Sequence, residues 1–163
     1  MKQILFLLIV FIAFSCQKQQ EKNNAKVNIE NIPPPPPPRK VIDEKNMIGF
    51  ACYYAGSKAK PVEKISEILK NKNYTTLKVK LYDVSPAEKY LATVACEKLE
   101  AKKIIKFTEK EFAQIKINKA SDEKVTLCGG CTNEEELTLK EMFTSEENFL
   151  VDSVEEWINE MIK

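Results

Sequence analysis

The chain contains no histidine among its 163 residues and only four glycines. Histidine is the usual general base near neutral pH and a common metal ligand, so its absence removes many hydrolytic and metal-dependent sites. Glycine is too scarce for a phosphate-cradling loop. The run Glu134–Glu136 is explained by the favourable charge at a helix start. We therefore expect no catalytic residues, although a hydrolase that uses carboxylates alone stays open.

An excess of charge of one sign is also missing. The sequence has 25 basic and 24 acidic residues, a net charge of +1, and Arg39 is its single arginine. Proteins that bind nucleic acid usually carry a strong basic excess with arginine at the contacts. We expect no nucleic-acid partner.

A short apolar leader opens the chain. Lys2 supplies a basic start, and residues 4–14 form an unbroken apolar run. This run is roughly half of the ~20 residues that cross a bilayer. An ordinary cleaved signal or a short membrane anchor would both fit this pattern.

The end of the leader favours a third outcome. The run Ala13-Phe14-Ser15-Cys16 resembles the signal of bacterial lipoproteins, with Ala13 where the family usually has leucine. The resemblance implies that the Cys16 thiol receives a diacylglyceryl group, that the preceding bond is cut, and that the new terminus is acylated. Each buried methylene contributes about 0.8 kcal/mol, and two or more chains anchor a protein stably where one does not.

The residues after Cys16 bear on the membrane and its side. Gln17 differs from the aspartate that retains many Gram-negative lipoproteins in the inner membrane, so we expect the outer membrane. Gln17, Lys18 and Glu21 partly resemble a surface-export signal. A periplasm-facing position and surface display both stay open.

A tether separates the anchor from a domain. Residues 17–32 are too polar to offset the entropy of ordering, which predicts disorder. Pro33–Pro38 predict a polyproline II rod of roughly 19 Å. Its position favours a spacer over a docking site for a proline-binding module. The organisation expected is a signal peptide (residues 1–15), a lipidated tether (16–46) and a helical domain (47–163).

Helix signals dominate the domain. We expect a helix that starts near Pro61, and others capped by Ser85 with Glu88, Thr108 with Glu111, and Thr144 with Glu147. The last helix presents an apolar stripe. Its residues are Leu150, Val154, Trp157, Ile158 and Met161.

The spacing of apolar residues predicts the secondary structure of three further segments. Met47–Ala55 reads as a helix. Tyr74–Tyr82 fits either a strand or a helix, and its helical neighbours favour a helix. Phe112 and Ile115 should be buried, and Lys124–Leu127 should form a short extended piece near Cys128.

Residues 61–102 resemble one HEAT- or armadillo-like helical hairpin, with small residues Ala92 and Ala95 at the contact. Such a unit has ~40 residues. The resemblance implies a mainly α fold, a small bundle of helical hairpins, that offers a binding surface rather than a catalytic one.

Cys128-Gly129-Gly130-Cys131 is the sharpest chemical motif of the domain, and Cys52 and Cys96 are its other thiols. An exported domain can form disulfides, and four cysteines allow three pairings that sequence does not separate. A local Cys128–Cys131 bridge and a Cys52–Cys96 bridge are both expected as candidates, beside plain buried thiols. Zinc sites usually use two paired knuckles, whereas this chain has one, so we expect no metal.

The sequence therefore predicts a membrane-anchored exported lipoprotein whose domain is a non-catalytic interaction module. Its partners would be the lipid bilayer, through Cys16, and an envelope protein; the covalent lipid would be its only added group. The alternative is a thiol–disulfide exchange protein that uses the Cys128/Cys131 pair.

Overall fold

A computed structural model describes residues 43–130, 133–145 and 148–163. The chain divides into two units, Met1–Arg39 and Lys40–Lys163, and all described residues belong to the second. The predicted leader with Cys16, the polyproline spacer, Cys131 and Glu147 lie outside the described residues.

Helices make up most of this described part. The helices are α1 (Lys60–Lys70), α2 (Tyr74–Val79), α3 (Pro86–Ala101), α4 (Glu109–Lys119), α5 (Leu139–Thr144) and α6 (Val151–Met161), with 3₁₀ turns at Glu44–Asn46 and Lys80–Tyr82. The strands are β1 (Met47–Cys52), β2 (Lys124–Gly130) and β3 (Asn133–Thr138). The predicted mainly helical class is confirmed, but a mixed sheet accompanies the helices.

The sheet has the order β1-β2-β3. β1 runs parallel to β2, with Met47 opposite Thr126, and β3 runs antiparallel to β2. A parallel pair needs a crossover connection, and residues 53–123 provide it with α1 to α4. Helix α1 packs against β1, and α3 packs against β2. One core therefore lies between these helices and the sheet.

The helix predicted over Met47–Ala55 is wrong, because Met47–Cys52 form β1. Met47, Ile48 and Gly49 are buried in succession. A parallel strand covered on both faces shows such a run instead of alternation. Without alternation, the spacing of the apolar residues in β1 also fits one face of a helix. Gly49, which disfavours a helix interior, was the signal against that assignment.

The helix start predicted at the run Glu134–Glu136 is also wrong. Asn133–Thr138 form β3, and Glu134 and Glu135 are exposed on it. Charged residues protect an edge strand from pairing with other chains. The acidic run therefore protects β3, which lies at one edge of this sheet. The extended piece predicted at Lys124–Leu127 is confirmed as part of β2.

Several local helix signals are confirmed. Pro61 lies at the start of α1, and Thr108 and Glu111 form a reciprocal capping box on α4. Tyr74–Tyr82 is helical, as predicted, and the Asn73 side chain accepts from the Thr76 amide at 3.1 Å. Local capping groups satisfy amides that the helix itself leaves open.

Two predicted caps differ. Ser85 accepts from the Glu88 amide, but the Glu88 side chain turns to Lys64 and Lys80 instead of returning to Ser85. Thr144 ends α5 and donates to the Lys140 carbonyl, while α6 begins after Leu150 without a side-chain cap. Thr144 is therefore not the cap of the last helix.

The core confirms most predicted apolar positions. Ile115 is buried, but Phe112 is half exposed and packs under the Lys116 ammonium group, so its predicted burial is wrong. The final stripe faces inward, with Met161 partly buried. Ala92 and Ala95 are fully buried.

The helical-hairpin repeat is not confirmed. Residues 61–102 contain three helices and a 3₁₀ turn rather than one hairpin. Helices α1 and α3 do pack together, but each also covers a strand of the sheet.

Candidate functional site

Two places in the described residues carry chemistry: a pair of buried thiols in the sheet and a groove where two helices start. Cys16 and Cys131 fall outside those residues, so lipidation and any Cys131 bridge stay predictions. Cys52, Cys96 and Cys128 are buried free thiols.

The structure brings Cys52 next to Cys128. The Cys52 thiol donates to the Cys128 carbonyl at 3.6 Å. The register of β1 and β2 shifts between Ile48 and Ala51, which gives β1 an extra residue opposite Cys128. This bulge places two cysteines that are not register partners on one buried face.

Gly49 makes room for this pair. A Cβ on Gly49 would overlap Cys52 Sγ and the Cys128 carbonyl oxygen, and would lie 3.0 Å from Cys128 Cβ. Only glycine allows the backbone of β1 to approach the two cysteines so closely. The sequence separates Gly49 from Cys128 by most of the domain, so this contact was not readable from spacing.

Cys96 has different surroundings. It lies in α3, and its charged neighbours are Lys78, Glu111 and Glu97. Burial raises the pKa of Cys96 to about 12. Cys52 contacts Cys128. Cys128 is therefore a candidate bridge partner for Cys52 beside the predicted Cys96.

The buried thiols are poor nucleophiles as they stand. Burial first, and then the hydrogen bond and charge of Cys128, raise the pKa of Cys52 to about 12. Reactive cysteines are partly exposed and have a lowered pKa, as at a helix N-terminus. Cys128 lies instead inside the central strand and is buried.

Metal ligation finds little support in the described ranges. Within residues 43–130, 133–145 and 148–163, no group of three or more cysteine or acidic side chains is placed to hold an ion. Cys131 is outside these ranges.

The groove lies where α1 and α3 begin, and encloses about 550 Å³. Its apolar wall consists of Pro61, Val84 and Pro86. Both prolines stand at helix starts, where their missing amide costs no hydrogen bond. Val84 is 93% exposed, so the groove presents an apolar side chain to solvent.

Asp43, Lys45 and Asn46, which lie at the end of the predicted tether, also line the groove. Asn46 Nδ2 donates to the Lys124 carbonyl at 2.6 Å, and the Ala87 amide donates to Asn46 Oδ1 at 3.1 Å. Ser85 Oγ donates to the Lys45 carbonyl at 2.8 Å. The chain that leads from the tether is thus fixed to both α3 and the sheet.

An ion network includes Asp83 and Glu88, two acids that line the groove. Lys80 Nζ lies 2.6 Å from Asp83 Oδ2 and 2.7 Å from Glu88 Oε2, while Lys64 Nζ lies 2.7 Å from Glu88 Oε1. Burial lowers the pKa of Lys80, but its hydrogen bonds to the two acids outweigh this effect and raise the pKa overall. Both acids are thereby paired with lysines of the protein itself.

Three lysines, Lys45, Lys60 and Lys64, line the groove together with the exposed Asp43. The Lys60 and Lys64 side chains are more than half exposed, although each contacts one carboxylate, and Lys45 is exposed. Sequence reasoning missed this groove. The available signal was two proline-started helices, at Pro61 and Pro86, with lysine beside the first.

Across the described ranges, no helix combines the length and apolar character that a membrane span requires. The chain matches no family model, no curated protein and no solved structure.

Proposed function

We propose that this chain is an exported lipoprotein, anchored to the outer membrane through Cys16, whose domain is a non-catalytic module that binds another envelope protein. The anchor rests on the leader and on Ser15-Cys16. The binding role rests on one observation: the groove at the start of α1 and α3 keeps Val84 almost fully exposed beside two prolines.

The groove also suggests the chemistry of its partner. Lys80 pairs with Asp83 and Glu88. Lys60 and Lys64 each pair with one carboxylate but are more than half exposed, and Lys45 is exposed. A partner segment that places an apolar side chain on Val84, flanked by acidic residues, would complement both features. Binding should therefore weaken as salt increases, because exposed charges are screened.

The position of the groove along the chain fits this role. Asp43, Lys45 and Asn46 line the groove and lie at the end of the predicted tether. A tether that ends at the binding surface would hold that surface at a defined reach from the membrane.

Affinity capture of the full-length protein from envelope membranes tests the proposal. Val84→Asp should abolish recovery of a specific partner, because a charge would replace the apolar contact. Ile117→Asp is the matched control: Ile117 is 61% exposed on α4 and does not line the groove. Equal recovery with both variants would contradict the groove assignment.

Thiol–disulfide exchange by Cys128 and Cys131 is the second candidate. An insulin-reduction assay separates it from the first, since activity in the unmodified protein that Cys128→Ser removes would favour it. The burial of Cys128 in a strand argues against this candidate.

A further inference from the structure

We infer that Cys52 and Cys128 form a disulfide that joins β1 to β2 when the domain folds in an oxidising compartment. The pair is set by the bulge in β1 and by the absence of a side chain on Gly49. The inference differs from a local Cys128–Cys131 bridge and from a Cys52–Cys96 bridge. It concerns the sheet and does not depend on the groove.

Contact between the cysteines carries the argument. Cys52 Sγ donates to the Cys128 carbonyl oxygen at 3.6 Å. Cys52 Sγ and Cys128 Cβ both approach the position of a Cβ on Gly49. Disulfide formation requires such proximity of the two Cβ–Sγ groups before any backbone shift.

The bridge would close a long loop. Cys52 and Cys128 are 76 residues apart, and the segment between them contains α1 to α4. Cross-linking distant residues restricts the unfolded chain more than a short loop does. The bridge would therefore secure the parallel pairing of β1 and β2, which no short turn holds in place.

The chemistry is a two-step exchange with a disulfide oxidant, for example oxidised glutathione. One cysteine loses its proton and attacks a sulfur of the oxidant, which releases one thiolate and leaves a mixed disulfide. The second cysteine, also deprotonated, then attacks the sulfur of the first and expels the other thiolate. Two protein thiols are oxidised, and one oxidant disulfide is reduced to two thiols.

Burial determines when this exchange happens. Cys52 and Cys128 are each about 1% exposed, so an oxidant cannot reach them in the folded domain. The bridge should form while the chain folds. Once formed, it should resist reductant until the domain unfolds.

Peptide mapping of the full-length protein, refolded with oxidised and reduced glutathione, tests the pairing. Trypsin cuts after lysine, which places Cys52 on residues 46–58 and Cys96 on residues 90–98. Cys128 and Cys131 share residues 125–140, so Cys131→Ser is needed to assign the bond. We expect the peptide of Cys52 linked to that of Cys128 in the wild type and, to the same extent, in Cys131→Ser.

Cys96→Ser is the matched control and should leave the linked peptides unchanged, whereas Cys52→Ser should remove them. A linkage confined to residues 125–140 with alkylated Cys52 would overturn the inference. Alkylation of all four domain thiols, at Cys52, Cys96, Cys128 and Cys131, after refolding would overturn it as well.

A second arm traps thiols in intact cells by alkylation before lysis. This arm also rests on the proposed export, because the cytosol keeps thiols reduced. Linked peptides from cells would support both pairing and export. Linked peptides from refolding alone would support the pairing and contradict the export.

Discussion

Trp157 Nε1 donates to Ser66 Oγ at 2.8 Å, and this buried bond joins α6 to α1. Ser66 Oγ in turn donates to the Val62 carbonyl at 2.6 Å within α1. The single tryptophan thus fills the core and has its polar N–H satisfied there. This relay ties the last helix of the chain to the helix that packs on β1.

Ser66→Ala should lower the free energy of unfolding by about 1–3 kcal/mol, because it leaves the buried indole N–H without a partner. Urea unfolding measures the loss. Ser153→Ala, on a partly exposed position of α6, should change stability much less. In a Trp157→Phe background, the Ser66→Ala cost should shrink; an undiminished cost would show that the bond contributes nothing.

Gly129→Ala should be destabilising because the added Cβ would lie 2.6 Å from Phe149 Cε2. The ring is partly exposed and can move aside, so we expect a cost of about 1 kcal/mol. In a Phe149→Ala background the cost should vanish. A cost that persists in the double variant would show that the backbone of β2, rather than the ring, opposes the side chain.

Stability should fall in acid through Asp83 and Glu111. Burial tends to raise the pKa of both carboxyls. Hydrogen bonds from Lys80 and the Ser85 amide nevertheless hold the pKa of Asp83 below its ordinary 3.8. Hydrogen bonds from the Thr108 amide and Lys78 likewise hold the pKa of Glu111 below its ordinary 4.5. Since the folded state binds protons less readily than the unfolded state, this contribution is present above those values and is lost below them.

The melting temperature, measured from pH 7 to pH 2.5, should therefore drop below about pH 4.5. Asp83→Asn should be less stable at pH 7 and show a smaller drop. Asp122→Asn, at an exposed position, should follow the wild type. Parallel curves for wild type and Asp83→Asn would contradict the assigned role of Asp83.

Cys16→Ala should prevent incorporation of labelled fatty acid and slow removal of the leader, because the thiol is the expected acceptor. Cys96→Ser, in the folded domain, is the matched control and should still be labelled. Continued labelling of Cys16→Ala would contradict the lipid assignment.

Local signals were readable from the sequence. The proline start at Pro61, the Ser85 cap and the Thr108–Glu111 box depend on residues within one helical turn. Such groups act on neighbouring amides whatever the tertiary context. These elements were therefore predicted correctly.

The sheet and the thiol pair depend on contacts distant in sequence. Met47–Cys52 become a strand because they pair with β2, and their apolar spacing also fits a helix face. Only the bulge brings Cys52 to Cys128. The Glu88 side chain also depends on distant contacts. It pairs with Lys80 and Lys64 instead of completing the local cap with Ser85.

In the proposed function, the groove binds an envelope partner of the anchored protein. Site-specific photo-crosslinking in cells tests it most directly, with the reactive residue at position 84 and, as a control, at position 117. We predict one discrete adduct from position 84 that is absent from position 117, that recurs from groove position 60, and that is lost with Cys16→Ala. Equal adducts from positions 84 and 117, or none from 84 and 60, would contradict the account.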